Sequence, residues 1–150
     1  MRREPSPSDA ALDLFKSLHM AVELVADHKL ARPLGDSAKA ARPRLAESPR
    51  SEASLANIRA NLAAARDLFD RLRPGVTDAA VVREIEARFD AAIAAAGAIN
   101  GSLEEAVGEP AKRPAVERLR REATALKRLL AEKLSVALDL PLGFNALDGD

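Results

Sequence analysis

An all-α fold is what this sequence predicts: an antiparallel four-helix bundle with one long, ordered loop between its first and second helices. Three observations lead there. Of the 150 residues, 47% are apolar but only 3% aromatic, with four Phe and neither Tyr nor Trp. Ala and Leu lead the helix scale, whereas strands draw on β-branched and aromatic residues. Apolar residues recur at alternating steps of three and four in four separate stretches, which puts each set on one face of a helix. Proline and glycine stand between the stretches, so the chain folds back on itself rather than running on as an extended coiled coil.

The elements follow in order. Residues 1–8 carry Pro5, Pro7, Ser6 and Ser8 and are expected to form a disordered arm, with a single helical domain over 9–150. Ser8 is the expected N-cap of a helix opening at Asp9, whose charge suits the positive end of the helix dipole. Phe15, Leu18, Val22 and Val25 mark its buried stripe. It should run to about Ala31 and stop before Pro33. From Arg32 to Arg50 the helical rhythm fails amid Pro33, Gly35, Pro43 and Pro49. A loop of that length inside a compact domain is uncommon and is either functional or a flexible linker; its prolines and mixed polar content suit an ordered one.

Ser51 or Ser54 opens the second helix, whose stripe is Leu55, Ile58, Leu62, Ala65, Phe69 and Leu72. Arg73-Pro74-Gly75 ends it. Thr77 is the expected cap of the third, with Val82, Ile85, Phe89, Ala92, Ala96 and Ile99 inward and Asn100-Gly101 as the stop. A short helical turn at 102–107 precedes the fourth helix, which carries Val116, Leu119, Ala123, Leu126, Leu130 and Ala137 and ends at Pro141. Near-20° crossings suit such stripes.

Charge and composition exclude several functions. Twenty-three basic residues balance twenty-three acidic ones, so the basic surplus that nucleic-acid binding needs is missing. With no cysteine, thiolate catalysis and cysteine-type zinc sites are ruled out. No apolar run approaches the roughly 20 residues of a membrane span, so no membrane insertion is expected. Basic Arg2 and Arg3 are followed by no apolar segment, so the start does not read as a signal peptide.

Three runs point to a family. The first is Lys29-Leu30-Ala31-Arg32-Pro33-Leu34-Gly35. The second is Arg42-Pro43-Arg44-Leu45-Ala46-Glu47-Ser48-Pro49-Arg50-Ser51. The third is the ending, Gly143-Phe144-Asn145-Ala146-Leu147-Asp148-Gly149-Asp150. In combination, and over most of the chain from about Leu14, they resemble the C-terminal half of imelysin-like proteins, a family of bacterial envelope proteins linked to iron. That resemblance implies a periplasmic or cell-envelope location. It also implies two bundle-like halves that pack together with the functional site between them, and peptidase-like chemistry dependent on a metal. The partner implied is an N-terminal imelysin-like half, or else a second copy of this chain. The family's hallmark is a G-x-H-x-x-E motif in the N-terminal half. Here His19 and His28 are followed three residues later by Val22 and Ala31, so the motif is absent. Pro49 and Glu52 also stand where the family pattern has an aromatic residue and a glycine. The chain therefore reads as leaning away from catalysis, with no catalytic residue assigned.

Candidate site residues fall in three groups. His19, Glu23 and Asp27 are spaced by four, forming one helical stripe that could hold a divalent or iron cation. The alternative is a solvated face, with Glu23 or Asp27 pairing His19 or a neighbouring lysine. Arg32, Arg42, Arg44 and Arg50 could present planar donors to a carboxylate or phosphate, with Ser48, Ser51 and Ser54 adding donors near a helix start. Against that, these arginines could pair with Glu47 and Glu52 and lock the loop on the bundle. Asn57, beside the second stripe, could meet a ligand or satisfy loop backbone, as could Asn61. Phe144 should dock on the bundle, bringing Asn145, Asp148 and Asp150 toward the long loop.

Overall fold

The computed structural model describes residues 3–46 and 53–140. Helix α1 (Pro7–Glu23) starts two residues before Asp9, because Ser6 and not Ser8 is its cap. The Ser6 hydroxyl accepts from the Asp9 amide at 3.1 Å, and the Asp9 carboxylate accepts from the Ser6 amide at 3.1 Å. This reciprocal box, with Pro7 preset at the first helical position, outcompetes a cap at Ser8. The hydrogen bonds from the Ser6 side chain and amide hold the Asp9 carboxyl below its usual pKa. The expected arm is thus shorter than eight residues.

The first rod also outruns Pro33. It passes without a break into a π-helical segment, Leu24–Leu30, and then into α2 (Ala31–Leu34). The Ala31 amide donates to the Ala26 carbonyl, five residues back. This wider turn restarts the ladder just ahead of Pro33, which then sits in the first turn of a new α segment where a missing N–H costs little. Gly35 makes the actual stop, at φ +64°. The connection that follows is built of two 3-10 turns, Ala38–Ala40 and Pro43–Leu45. The Arg42 amide donates to the Pro33 carbonyl at 2.7 Å, and Ala46 is buried in the core.

Helix α3 (Ser54–Leu72) buries all six residues of its predicted stripe. A 3-10 turn (Arg73–Gly75) leads to α4 (Ala79–Gly97), capped by Asp78 rather than Thr77, with the Asp78 carboxylate accepting from the Ala80 amide at 2.9 Å. Arg59 of α3 closes the other end of α4. Its guanidinium donates to the carbonyls of Ala96 and Ile99 at 3.0–3.2 Å, groups a helix end otherwise leaves orphaned. Ser102 caps the short α5 (Leu103–Gly108). The last rod is α6 (Arg113–Leu129), a second π segment (Leu130–Leu134) and a final turn, α7 (Ser135–Ala137).

Helix α1 packs on α3 and α6, α3 on α4, and α4 on α6, which closes a four-rod bundle; no strand occurs among the described residues. The core differs between the two ends. One end gathers Phe15, Phe69 and Phe89 with Leu18, Ile85, Leu126 and Leu134, and the rings of Phe69 and Phe89 lie 5.8 Å apart. The other is rich in alanine: Ala26, Ala46, Ala92, Ala95, Ala96, Ala106 and Ala123, with Leu30, Leu34 and Val116. Small side chains there let α2, α5 and α6 approach closely, and at this end the polar surface groups converge.

Candidate functional site

Helix α6 carries an arginine face beside its buried stripe. Arg113, Glu117, Arg120, Arg121, Thr124 and Arg128 succeed one another at helical spacing and face Leu34, Gly35 and Asp36 across a cleft of about 480 Å³. Arg113 fastens the two walls together. It is 6% exposed; Nη2 donates to the Leu34 carbonyl at 2.8 Å and Nε to the Glu117 carboxylate at 2.8 Å. Its third nitrogen, Nη1, is buried with no hydrogen-bond partner. Among the described residues, Arg120, Arg121 and Arg128 have no ion-pair partner.

Gly35 and Asp36 also border a shallower depression lined by Arg32, Ala40, Arg42 and Leu45. The long connection and α6 therefore present one continuous basic surface around Gly35–Asp36. An added Cβ at Gly35 would stand 2.4 Å from the Ala40 carbonyl oxygen, so only glycine allows the chain to pass so close. Of the loop arginines expected from the sequence, Arg32 and Arg42 line this region and Arg44 is exposed on the 3-10 turn beside it; none has an ion pair among the described residues. Backbone hydrogen bonds and the buried Ala46 order the segment. Ser54 is buried and Asn57 half-buried, and neither is without a partner. The buried Asn61 Nδ2 has no hydrogen-bond partner. Glu47, Ser48, Arg50, Ser51, Phe144, Asn145, Asp148 and Asp150 lie outside the described residues.

The stripe of His19, Glu23 and Asp27 does exist, but its members are committed separately. His19 is buried and stacks on Phe15, with ring centroids 6.2 Å apart. Burial, and secondarily the charge of Lys127, push its imidazole below the usual pKa, against the opposite pull of Glu23 and Asp27. Glu23 lies 3.9 Å from its Nδ1. Asp27 is paired with Lys127 of α6 at 2.6 Å, which is the lysine-paired alternative weighed from the sequence. No three acidic or histidine side chains gather into a metal-ligand group among the described residues. A cation at this stripe would have to compete with the Lys127 ammonium for Asp27, so the donor set does not fit the metal that the resemblance implies.

The α6 arginines escape a sequence reading because a helix face with arginines reads as ordinary solvated surface. The available signal was their phase: Arg113, Arg120, Thr124 and Arg128 border the buried stripe of Val116, Leu119, Ala123 and Leu126. A family model described as Imelysin matches residues 1–132. No curated protein matches the chain. No solved structure matches it either.

Proposed function

Because the chain belongs to the imelysin family, we propose that it acts as a non-catalytic binding half of a bacterial envelope protein linked to iron uptake, completing a site with a second helical half. One observation carries this reading. The polar groups a peptidase-like centre would need are tied up at His19 and Asp27, whereas arginines with no ion pair among the described residues form a basic surface around Gly35–Asp36. Such a surface is suited to binding an anionic group. The family's envelope association supports a periplasmic location; no described helix is long and apolar enough to cross a membrane.

Exposed Met20, at 67%, and Leu24, at 41%, lie one turn apart along the first rod and favour a covered face. A stand-alone homodimer is the competing occupant of that face. Co-expression with an imelysin-like half bearing the G-x-H-x-x-E motif should give a one-to-one complex on size exclusion. Recovery of this chain only as a concentration-dependent dimer would overturn the pairing in favour of self-association. Calorimetric titration of the chelator-stripped chain with zinc, iron and calcium should show no binding that His19→Ala abolishes. Micromolar binding lost in that variant would reinstate a metal-dependent, peptidase-like reading.

A further inference from the structure

The geometry of the α6 cleft points to a ligand class: we propose that it binds a small, multiply charged oxyanion, a di- or tricarboxylate or an organic phosphate. The first ground is Arg113. A guanidinium this buried normally satisfies its N–H groups, yet Nη1 has no acceptor while Nε and Nη2 are both used. Nη1 lies beneath the surface, so Arg113 acts as a fixed positive charge behind the cleft wall that favours an oxyanion in front of it. The second ground is the rest of the wall. Arg120, Arg121 and Arg128 line the same cleft, with the Thr124 hydroxyl between them.

The two carboxylates present do not cancel this charge. Glu117 is held by Arg113 Nε, and Asp36 is exposed at the opposite lip. At the α-helical rise, Arg113 and Arg120 stand about 11 Å apart along the axis, and Arg128 is about 12 Å further on. No small molecule spans that whole row, but the stretch from Arg120 to Arg128, about 12 Å, is within reach of one ligand with several charged groups and not of one monovalent ion. The cleft volume of about 480 Å³ suits a small molecule.

This inference rests on reading the basic face as the binding surface, but the two fail separately. A domain that pairs with its second half yet ignores polyanions loses only the present inference. Polyanion binding without such pairing loses only the earlier one. The test is calorimetry at low salt with tricarballylate, pyrophosphate and acetate. Saturable one-to-one binding of tricarballylate or pyrophosphate is expected, with none of acetate, and the tighter of the two identifies carboxylate or phosphate as the natural group. Arg120→Gln/Arg121→Gln should weaken that binding at least tenfold while leaving the helical circular dichroism unchanged. Should the double variant lose helicity, Arg128→Gln, at an exposed position, must weaken binding as well. The proposal is overturned if neither polyanion saturates, or if the folded variants bind as the parent does. It is equally overturned if an acidic peptide binds and the small polyanions do not.

Discussion

Two glycines in this chain should respond to the same substitution with opposite sign. Gly35 has φ +64° and ψ −177°, a region that only glycine occupies readily. Its would-be Cβ meets the Ala40 carbonyl oxygen at 2.4 Å, and that neighbour is backbone and cannot swing aside. The strained dihedrals alone cost about 1–3 kcal/mol. Relieving the clash must also move the segment held by the Arg42–Pro33 hydrogen bond, so Gly35→Ala should cost roughly 2–4 kcal/mol. For a chain of this size that is a fall in Tm of about 4–16 °C. Gly97, in the last turn of α4, has nothing within 4 Å of its Cβ position. There Gly97→Ala should stabilise by about 0.5–1 kcal/mol through helix propensity and a less flexible unfolded chain. Thermal melting followed at 222 nm checks both. If Gly35→Ala melts at or above the parent temperature, the left-handed stop and the close approach to Ala40 are wrong.

Phe69→Ala removes a fully buried ring that packs on Phe89, and should cost about 3–5 kcal/mol in urea unfolding. His19 bears on pH. Its folded imidazole resists protonation, so the unfolded chain takes up the proton first as pH falls below about 6.5. Stability should therefore decline from there down to the lowered folded pKa and level off beneath it. His19→Gln should flatten that part of the stability profile relative to the parent. Parallel profiles for the two proteins would show that His19 is not the group responsible.

The fold class was legible because burial and helical period agree over long stretches. Every residue of the Leu55–Leu72 stripe is buried, as are Phe89, Ala92 and Ala96 on α4, Val116, Leu119, Ala123 and Leu126 on α6, and Leu130 in the π segment after it. The ends were less legible, since they turn on competition among near-equal local choices. Ser6 displaced Ser8 as a cap because only Ser6 has an acidic partner three residues on with Pro7 between. Asp78 displaced Thr77 in the same kind of contest. Pro33 misled because a proline ends a helix only where its N–H is needed, and a π turn removes that need without any signature in the sequence. The arginine surface was half legible: Arg32, Arg42 and Arg44 stood out in a helix-breaking loop. Those of α6 gain meaning only once Leu34–Asp36 is folded against them.

The π segment at Leu24–Leu30 has a consequence for how this chain can vary. Each residue of an α-helix advances its neighbours by about 100° around the axis. The extra residue accommodated in the wide turn therefore sets the angular position of everything beyond it, including the Leu34 carbonyl that Arg113 grips. Removing one residue there would restore a regular ladder yet swing that carbonyl, Gly35 and Asp36 away from α6. Substitutions along the segment's outer face leave this alignment untouched, whereas a single-codon deletion dismantles the cleft while sparing the bundle below it. The segment is a phase-setting device, and the cleft depends on its length more than on its letters.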